Sequence, residues 1–403
     1  MVDAAPSQSG FRYTRWSLVC ILLSVPLAIL FYQRRLREPV AVVRVAAFNV
    51  ALNRPAAGEL LQELRGGGSA PAKQLAAIVQ RVQPDVLLLC EVDHDDAGAA
   101  AKAFADEYLA VSQQGLAPIR YEFSWVAKSN TGEPSGRDLD RDGRSDGPGD
   151  AYGYGAFPGQ YGMVLLSRHP ILADRVRTFR MLPWAAMPGA QRPEGCYDDA
   201  TWAQLRLSSK SHWDVPIGIG GQVVHALCSH PTPPAFDGPE DRNGCRNHDE
   251  IRFWVDYLTP GKDGWIVDDA GGKGGLPDGA HFVVLGDLNC DPKDGQSRRQ
   301  ALADLLAHAR AQDPQPRSSG GAGASMKQFG ANATHAGDAS LDTGDFDDEV
   351  GKGPGNLRVD YALPSRSLRV VQSGVFWPAE REAGAALASA SDHRLVWVDV
   401  VAP

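Results

Sequence analysis

Four short segments combine residue types that activate water against phosphorus. Gly286-Asp287-Leu288-Asn289 follows an apolar run over residues 282–285, Ser391-Asp392-His393 precedes another, and Phe48-Asn49-Val50 and Glu91 close two earlier runs. Carboxylate oxygen binds hard divalent cations, imidazole carries protons near neutral pH, and a side-chain amide donates hydrogen bonds without adding charge. Gathered at strand ends, such groups converge on one phosphate and one cation. The chemistry they predict is hydrolysis of a phosphoester bond.

The hydrophobic pattern predicts the elements that must hold them. Residues 40–50 and 85–89 read as buried strands separated by a helix over 71–82, with a second helix near 97–109. This opening puts Asn49 and Glu91 at the carboxyl ends of successive strands, where open sheets carry catalytic groups. Further strands are expected at 163–167, 205–207, 223–228, 282–285, 359–363, 368–376 and 395–400, and helices at 247–258 and 297–310. Residues 129–159 are dense in Gly, Asp and Pro and predict a long surface loop. Residues 315–355 are poor in apolar side chains and predict a mobile or loosely packed segment. Nothing divides residues 40–403, which read as one catalytic domain behind residues 1–39, a tail, an apolar segment and a linker.

With 403 residues, 43% of them hydrophobic, the chain can bury a large α/β core. A net charge of −9 argues against tight, sequence-independent binding to long nucleic acids, because that affinity comes from Lys and Arg at phosphates. A nuclease is not excluded, since metal ions supply local positive charge. Residues 16–32 form an uninterrupted apolar run flanked by Arg12, Arg15, Arg34, Arg35 and Arg37. As a helix it would reach about 26 Å, the lower edge of a membrane span. It lacks the small residues of a cleaved secretory signal, so an uncleaved anchor is expected, with the catalytic domain extracytoplasmic or secreted. The arginines do not fix its orientation, and a buried core helix is the alternative. Of six cysteines, Cys196 and Cys245 fall in polar segments and would pair only in an oxidising compartment.

The four segments, together with Leu89-Cys90-Glu91-Val92, Leu166-Ser167-Arg168, Ser229-His230-Pro231-Thr232 and Arg358-Val359-Asp360-Tyr361, follow an order that resembles the endonuclease/exonuclease/phosphatase superfamily. That group is related to deoxyribonuclease I, abasic-site endonucleases and neutral sphingomyelinases. The resemblance spans residues 42–401 and implies a four-layer α/β sandwich, two packed mixed β-sheets flanked by helices, with hydrolysis aided by Mg2+ or Mn2+. It implies that Glu91 holds the metal, that Asn49 orients Glu91 or touches the metal, and that Asp392 sits beside the metal or the water. Asp287 would orient and deprotonate that water, and Asn289 would donate to a phosphate oxygen as charge builds there. His230 and His393 would donate to non-bridging oxygens or protonate the leaving oxygen, with Asp360 orienting His393 through its second ring nitrogen. The competing readings are an exposed acid at a strand end for Glu91, a polar turn for 287–289 and structural roles for both histidines. Asp287 and Asn289 face the same side if the strand continues through them, since its period is two.

Two segments lie outside that pattern. Lys210 and His212 fall between two expected strands and would suit phosphate binding, and Arg246, Asn247 and His248 would add donors at a helix N-terminus. A solvated polar loop is the alternative for both. Asp138, Asp140, Asp142 and Asp146, with Gly143 at the turn, resemble the start of a Ca2+ loop, although Gly149 stands at the twelfth position where a glutamate belongs. Calcium there competes with a solvated acidic loop. The expected enzyme is a metal-dependent phosphodiesterase or nuclease-like hydrolase using in-line attack of water on a nucleic acid, nucleotide or phospholipid head group. A phosphomonoesterase or sphingomyelinase-type phospholipase is the alternative among enzymes, and a membrane-anchored binding protein the alternative outside them. A pure binding module has no need of Glu91, Asp287, Asn289, Asp360 and His393 together, and no protein partner is indicated.

Overall fold

Successive side chains of a strand point to opposite faces, and in the strand β1, Val42–Leu52, both faces are apolar. Val43, Val45 and Ala47 enter one core, whereas Ala46, Phe48, Val50 and Leu52 enter another. A strand buried on both faces must lie between two layers. The computed structural model describes Met1 and residues 42–95, 97–236 and 238–401, and it shows those layers.

The other strands are β2 (Val86–Val92), β3 (Phe123–Trp125), β4 (Gly162–Ser167), β5 (Arg177–Thr178), β6 (His212–Ile219) and β7 (Gln222–Ser229). They are followed by β8 (His281–Asp287), β9 (Gly344–Asp345), β10 (Asn356–Leu357), β11 (Asp360–Pro364), β12 (Arg369–Val375) and β13 (Val396–Val401). Six form one sheet in the order β12-β13-β1-β2-β4-β3, and five form a second in the order β11-β8-β7-β6-β5. Each sheet holds one parallel pair, β1 with β2 and β7 with β8, among antiparallel neighbours, so both are mixed. The sheets meet through a shared core that includes Val45, Ala47, Leu88, Val215, Val283 and Leu285.

Helices cover the two outer faces. They are α1 (Glu59–Leu64), α2 (Ala70–Val82), α3 (Ala99–Phe104), α4 (Asp199–Trp202), α5 (Arg242–Leu258), α6 (Gln300–Leu306) and α7 (Ser319–Ser325). α2 starts where the Ser69 side chain accepts from Ala72 N, with Pro71 in the first turn, and it ends at Gln83 in the left-handed region. Its buried Ala72, Leu75, Ala76 and Val79 recur at helical spacing and pack on the outer face of the first sheet. α5 lays Phe253, Trp254 and Tyr257 on the outer face of the second. Helix, sheet, sheet and helix make four layers, and truncating a core side chain such as Leu75 to Ala would cost about 2–5 kcal/mol.

Several expectations need correction. Residues 205–207 form no strand and make only an isolated bridge, Pro183 to Arg206, through two backbone bonds, Trp184 N to the Leu205 carbonyl and Leu207 N to the Leu182 carbonyl. The polar stretch 208–214 is no free linker, since β6 begins at His212 and pairs with Ser229. The helix near 97–109 is α3 followed by a π-helical turn, Ala105–Leu109. In 129–159, Ser129, Asn130, Thr131 and Asp150 are buried, so that loop folds back on the body. Residues 315–355 are ordered, holding α7 and β9, with β9 paired to β10 just beyond and Thr343 fully buried, because polar contacts to the site replace the missing apolar ones. Cys196 is a buried free thiol and does not pair with Cys245. The described residues from Val42 onward form one compact unit. The apolar run 16–32 lies outside the described residues, among which no helix is long and apolar enough to cross a membrane.

Candidate active site

Strand alternation aims the key side chains at one end of the space between the sheets. Asn49 continues the row of Val45 and Ala47, His230 that of Ala226 and Cys228, and Asp287 that of Val283 and Leu285, all residues of the shared core. Antiparallel pairing then sets Asp360, the first residue of β11, directly opposite Asp287, the last of β8. Close approach of β7 to β8 requires Gly286: it has φ +153°, and a Cβ there would lie 1.9 Å from the Ser229 carbonyl oxygen.

Asp287 is the hub. Its Oδ2 lies 3.1 Å from Asn49 Nδ2, 3.4 Å from His230 Nε2 and 3.6 Å from His393 Nε2, while its Oδ1 accepts from Asn289 N at 2.9 Å. His393 Nδ1 lies 2.9 Å from Asp360 Oδ2, so one imidazole bridges two buried carboxylates. The ligand atoms of Asp287, Asp360 and His393 all fall within 4.8 Å of one another. Asn289 does not continue the strand as expected: β8 stops at Asp287, and Asn289 takes φ +50° and donates from Nδ2 to the Pro231 carbonyl at 3.1 Å. An amide nitrogen has a second hydrogen, which remains for a ligand.

Glu91 arrives by another route. In a regular strand it would share the face of Leu87 and Leu89, which pack under the helices. The ladders of β2 shift register on both sides of this position, and Glu91 adopts φ +61°. This bulge turns the carboxylate to the opposite face, where Oε1 accepts from Asn49 Nδ2 at 3.0 Å and Oε2 from Asn53 Nδ2 at 3.0 Å. Asn49 therefore joins Glu91 to Asp287 as a donor and orients both carboxylates, with its own Oδ1 accepting from Ala51 N at 3.2 Å. Asn53 had no periodic signal in the sequence to mark it.

The wall behind His393 comes from the segment expected to be loose. Thr343 Oγ1 accepts from Asp360 N at 2.9 Å, Gly344 bridges to His393, and the Phe346 ring meets the imidazole edge-on at 5.2 Å. Ser391 Oγ donates to the Asn49 carbonyl and accepts from His393 N, at 2.9 and 3.0 Å, tying the end of β1 to the segment that leads into β13. Asp392 is exposed at the mouth, outside the three-group cluster.

Charge separates the two histidines. Burial would lower the pKa of His393, but Asp360 and Asp287, with the hydrogen bond to Asp360, raise it, so the ring is an imidazolium at neutral pH. Burial drives His230 well below the ordinary histidine value, helped by Lys210 and His393, so that ring is neutral. Burial also pushes the carboxyls of Glu91 and Asp287 up. A buried amide-linked pair of carboxylates, together with an Asp360 Oδ1 that has no partner among the described residues, suits a hard divalent cation.

The remaining candidates divide. Lys210 is buried two residues before His212, which pairs with Ser229 beside His230, and the charges of Glu250, Glu91 and Asp287 act on its ammonium. His212 faces α5, with Nδ1 2.6 Å from Ser208 Oγ and Nε2 2.9 Å from the Glu250 carbonyl, so both nitrogens are taken and none remains for a phosphate. Arg246 turns its Nε and Nη2 onto the carbonyls of Arg206, Leu207 and Ser208, and Asn247 holds those of Thr232 and Leu288. Both brace the loops of the site. In the acidic loop, Asp138 and Asp140 gather with the buried Asp150, whereas Asp142 accepts from Arg144 N and Asp146 pairs with the Arg144 side chain. The alternate-position calcium pattern is not formed, because the third carboxylate comes from the far side of the loop. A cavity of about 480 Å3 opens beside Asp93 and is walled by Leu60, Leu61 and Phe157. None of Asn49, Glu91, His230, Asp287, Asp360 and His393 lines it.

Comparison with known proteins agrees with this geometry. No curated protein sequence matches the chain. Among solved structures, an endonuclease/exonuclease/phosphatase from Beutenbergia cavernae is similar at TM-score 0.50 and 18% identity, covering 90% of this chain and 72% of its own. Sphingomyelinase C from Streptomyces griseocarneus follows at TM-score 0.44 and 17% identity, covering 89% and 99%. A mannosyl-6-phosphatase from Bacteroides thetaiotaomicron follows at 0.43 and 13%, also covering 89% and 99%. Residues 46–393, which enclose every group from Asn49 to His393, match one family over most of the chain, and this protein belongs to the endonuclease/exonuclease/phosphatase family.

Proposed function

We propose that the chain is a divalent-metal-dependent phosphodiesterase that hydrolyses its substrate by in-line attack of water. The observation that carries this reading is the Asp287 hub, one buried carboxylate within 3.1 to 3.6 Å of an amide and two imidazoles. Glu91, oriented by Asn49 and Asn53, would hold the cation, which when bound neutralises charge on the phosphoryl group. Asp287 aligns the attacking water and takes its proton. His393, charged and fixed by Asp360, donates to the oxygen on which negative charge grows, while the neutral His230 and the free hydrogen of Asn289 donate to non-bridging oxygens. Each such contact is worth about 2–4 kcal/mol in the transition state.

A panel of bis(p-nitrophenyl) phosphate, p-nitrophenyl phosphate, DNA and sphingomyelin, assayed with Mg2+, Mn2+ or Ca2+, tests the reading. Diester cleavage that thorough chelation abolishes is expected. Turnover that survives chelation would sink the metal role, and exclusive cleavage of the monoester or of sphingomyelin would move the assignment to the phosphomonoesterase or phospholipase alternative. The apolar run 16–32 supports a further proposal, that the catalytic unit is tethered to a membrane and works outside the cytoplasm. Partition of the full chain into the soluble fraction without detergent would refute the tether.

A further inference from the structure

One cation at the site has no role in the mechanism above. Lys210 is buried, and among the described residues its side chain makes no hydrogen bond or ion pair, although Glu250, Glu91 and Asp287 act on its charge and it acts on His230. Everything around it is fixed. Arg246 grips the carbonyls of Arg206, Leu207 and Ser208 at 2.9, 3.0 and 3.0 Å, and Asn130 holds that of Lys210 itself through its backbone N–H at 2.9 Å. Glu250 accepts from Ser209 N and Oγ with one oxygen and from Thr232 N with the other, at 2.5, 2.8 and 2.7 Å. A single carboxylate thus clamps the segment before β6 to the turn after β7 that carries His230.

A buried ammonium without acceptors is unfavourable, so a backbone held this firmly around one is built for a ligand that brings acceptors. We infer that Lys210 is a phosphate-binding residue of the active site, its ammonium taking a non-bridging oxygen of the scissile phosphoryl group on the His230 side, with Glu250 as its positioning residue. This inference rests on the phosphoester reading. It gives the His230 side a fixed positive charge that the neutral imidazole lacks. An ammonium is also a compact charge with three rotatable donors, able to follow the oxygens as phosphorus changes geometry.

The test uses the full, Mg2+-loaded chain. Lys210→Met should lower kcat/KM for bis(p-nitrophenyl) phosphate about 100-fold and weaken inhibition by inorganic phosphate about tenfold or more, with the half-saturating Mg2+ concentration held within about threefold. Rates and phosphate inhibition equal to wild type in the folded variant would overturn the inference, because a purely structural lysine moves neither. Should the variant not fold, wild-type protein labelled with 15N-lysine decides: the buried ammonium resonance should shift as inorganic phosphate is added, and an unmoved resonance refutes the contact. If the wild type cleaves no phosphoester while this resonance responds, the functional reading fails and the binding role stands. If it cleaves the diester while the resonance is silent, only the present inference fails.

Discussion

His393 and His212 are both buried in the same sandwich, and they have opposite chemistry. His393 lies between Asp287 and Asp360, which hold a proton on it. His212 lies between a serine hydroxyl and a backbone carbonyl, with Phe253 and Trp254 against its ring, and burial brings its pKa down to about 3. The difference comes from the face each presents. His212 alternates with Trp213 and Val215 of the shared core and so points outward under α5, whereas His393 enters the gap between the sheets where the carboxylates meet. The layer that receives a buried histidine decides whether carboxylates or neutral acceptors surround it.

The comparison breaks most sharply at the hub. Asp287→Ala and His393→Ala should each lower kcat/KM on a model diester about 1,000-fold or more with the fold kept, as circular dichroism would confirm. Folded variants with wild-type rates would place the chemistry elsewhere. Asp360→Asn should cost about 10- to 100-fold in kcat and also move the alkaline limb of the pH profile downward, because a carboxylate that raises the His393 pKa is gone. An unmoved limb would show that His393 titrates outside the rate-determining step.

On the structural side, His212→Gln should lose about 2–4 kcal/mol of stability in urea melts while turnover per folded molecule stays within about threefold. The sign of its pH dependence follows from the depressed pKa. Between about pH 6.5 and 3 the unfolded chain binds a proton here and the folded chain does not, so wild-type stability falls as pH falls, by up to about 1.4 kcal/mol per unit. The variant's stability curve should be flatter across that window. The smallest effect is expected at Asp342, a buried carboxyl pushed up to about 8 by burial and by Asp291, Asp294 and Asp338, with no histidine between them to relieve it. Above about pH 4 the unfolded chain releases this proton and the folded chain keeps it. Asp342→Asn should therefore stabilise by about 1–3 kcal/mol near pH 8 and by nothing near pH 4. Equal melting temperatures at both pH values would show that the carboxyl is not held protonated.

Much of the site was legible because strand alternation is strict. Apolar runs ending in Asn49, Asp287 and the 230 turn placed those groups at one end of the sheets, and the motif order supplied the partner strands. Where alternation fails, reading failed with it. Residues 205–207 carry the apolar pattern of a strand, but Arg206 instead pairs with Asn130 and Glu133. Residues 315–355 are poor in apolar side chains and so carry no periodic signal, yet the Thr343 hydroxyl holds the Asp360 backbone and the Phe346 ring edge packs on His393. The acidic loop read as a linear ligand set, but Asp150 returns to it from outside that set.

By itself the sequence determined the layered class, the strand ends and the inventory of reacting groups, since these depend on local periodicity and residue chemistry. Only the tertiary structure decided which face received each group: the bulge that turns Glu91 toward Asn49, the layer that removes His212 from the site, and the Glu250 clamp that holds the Lys210 segment to the turn carrying His230. Those choices depend on contacts between residues dozens to hundreds of positions apart, which a local pattern does not encode.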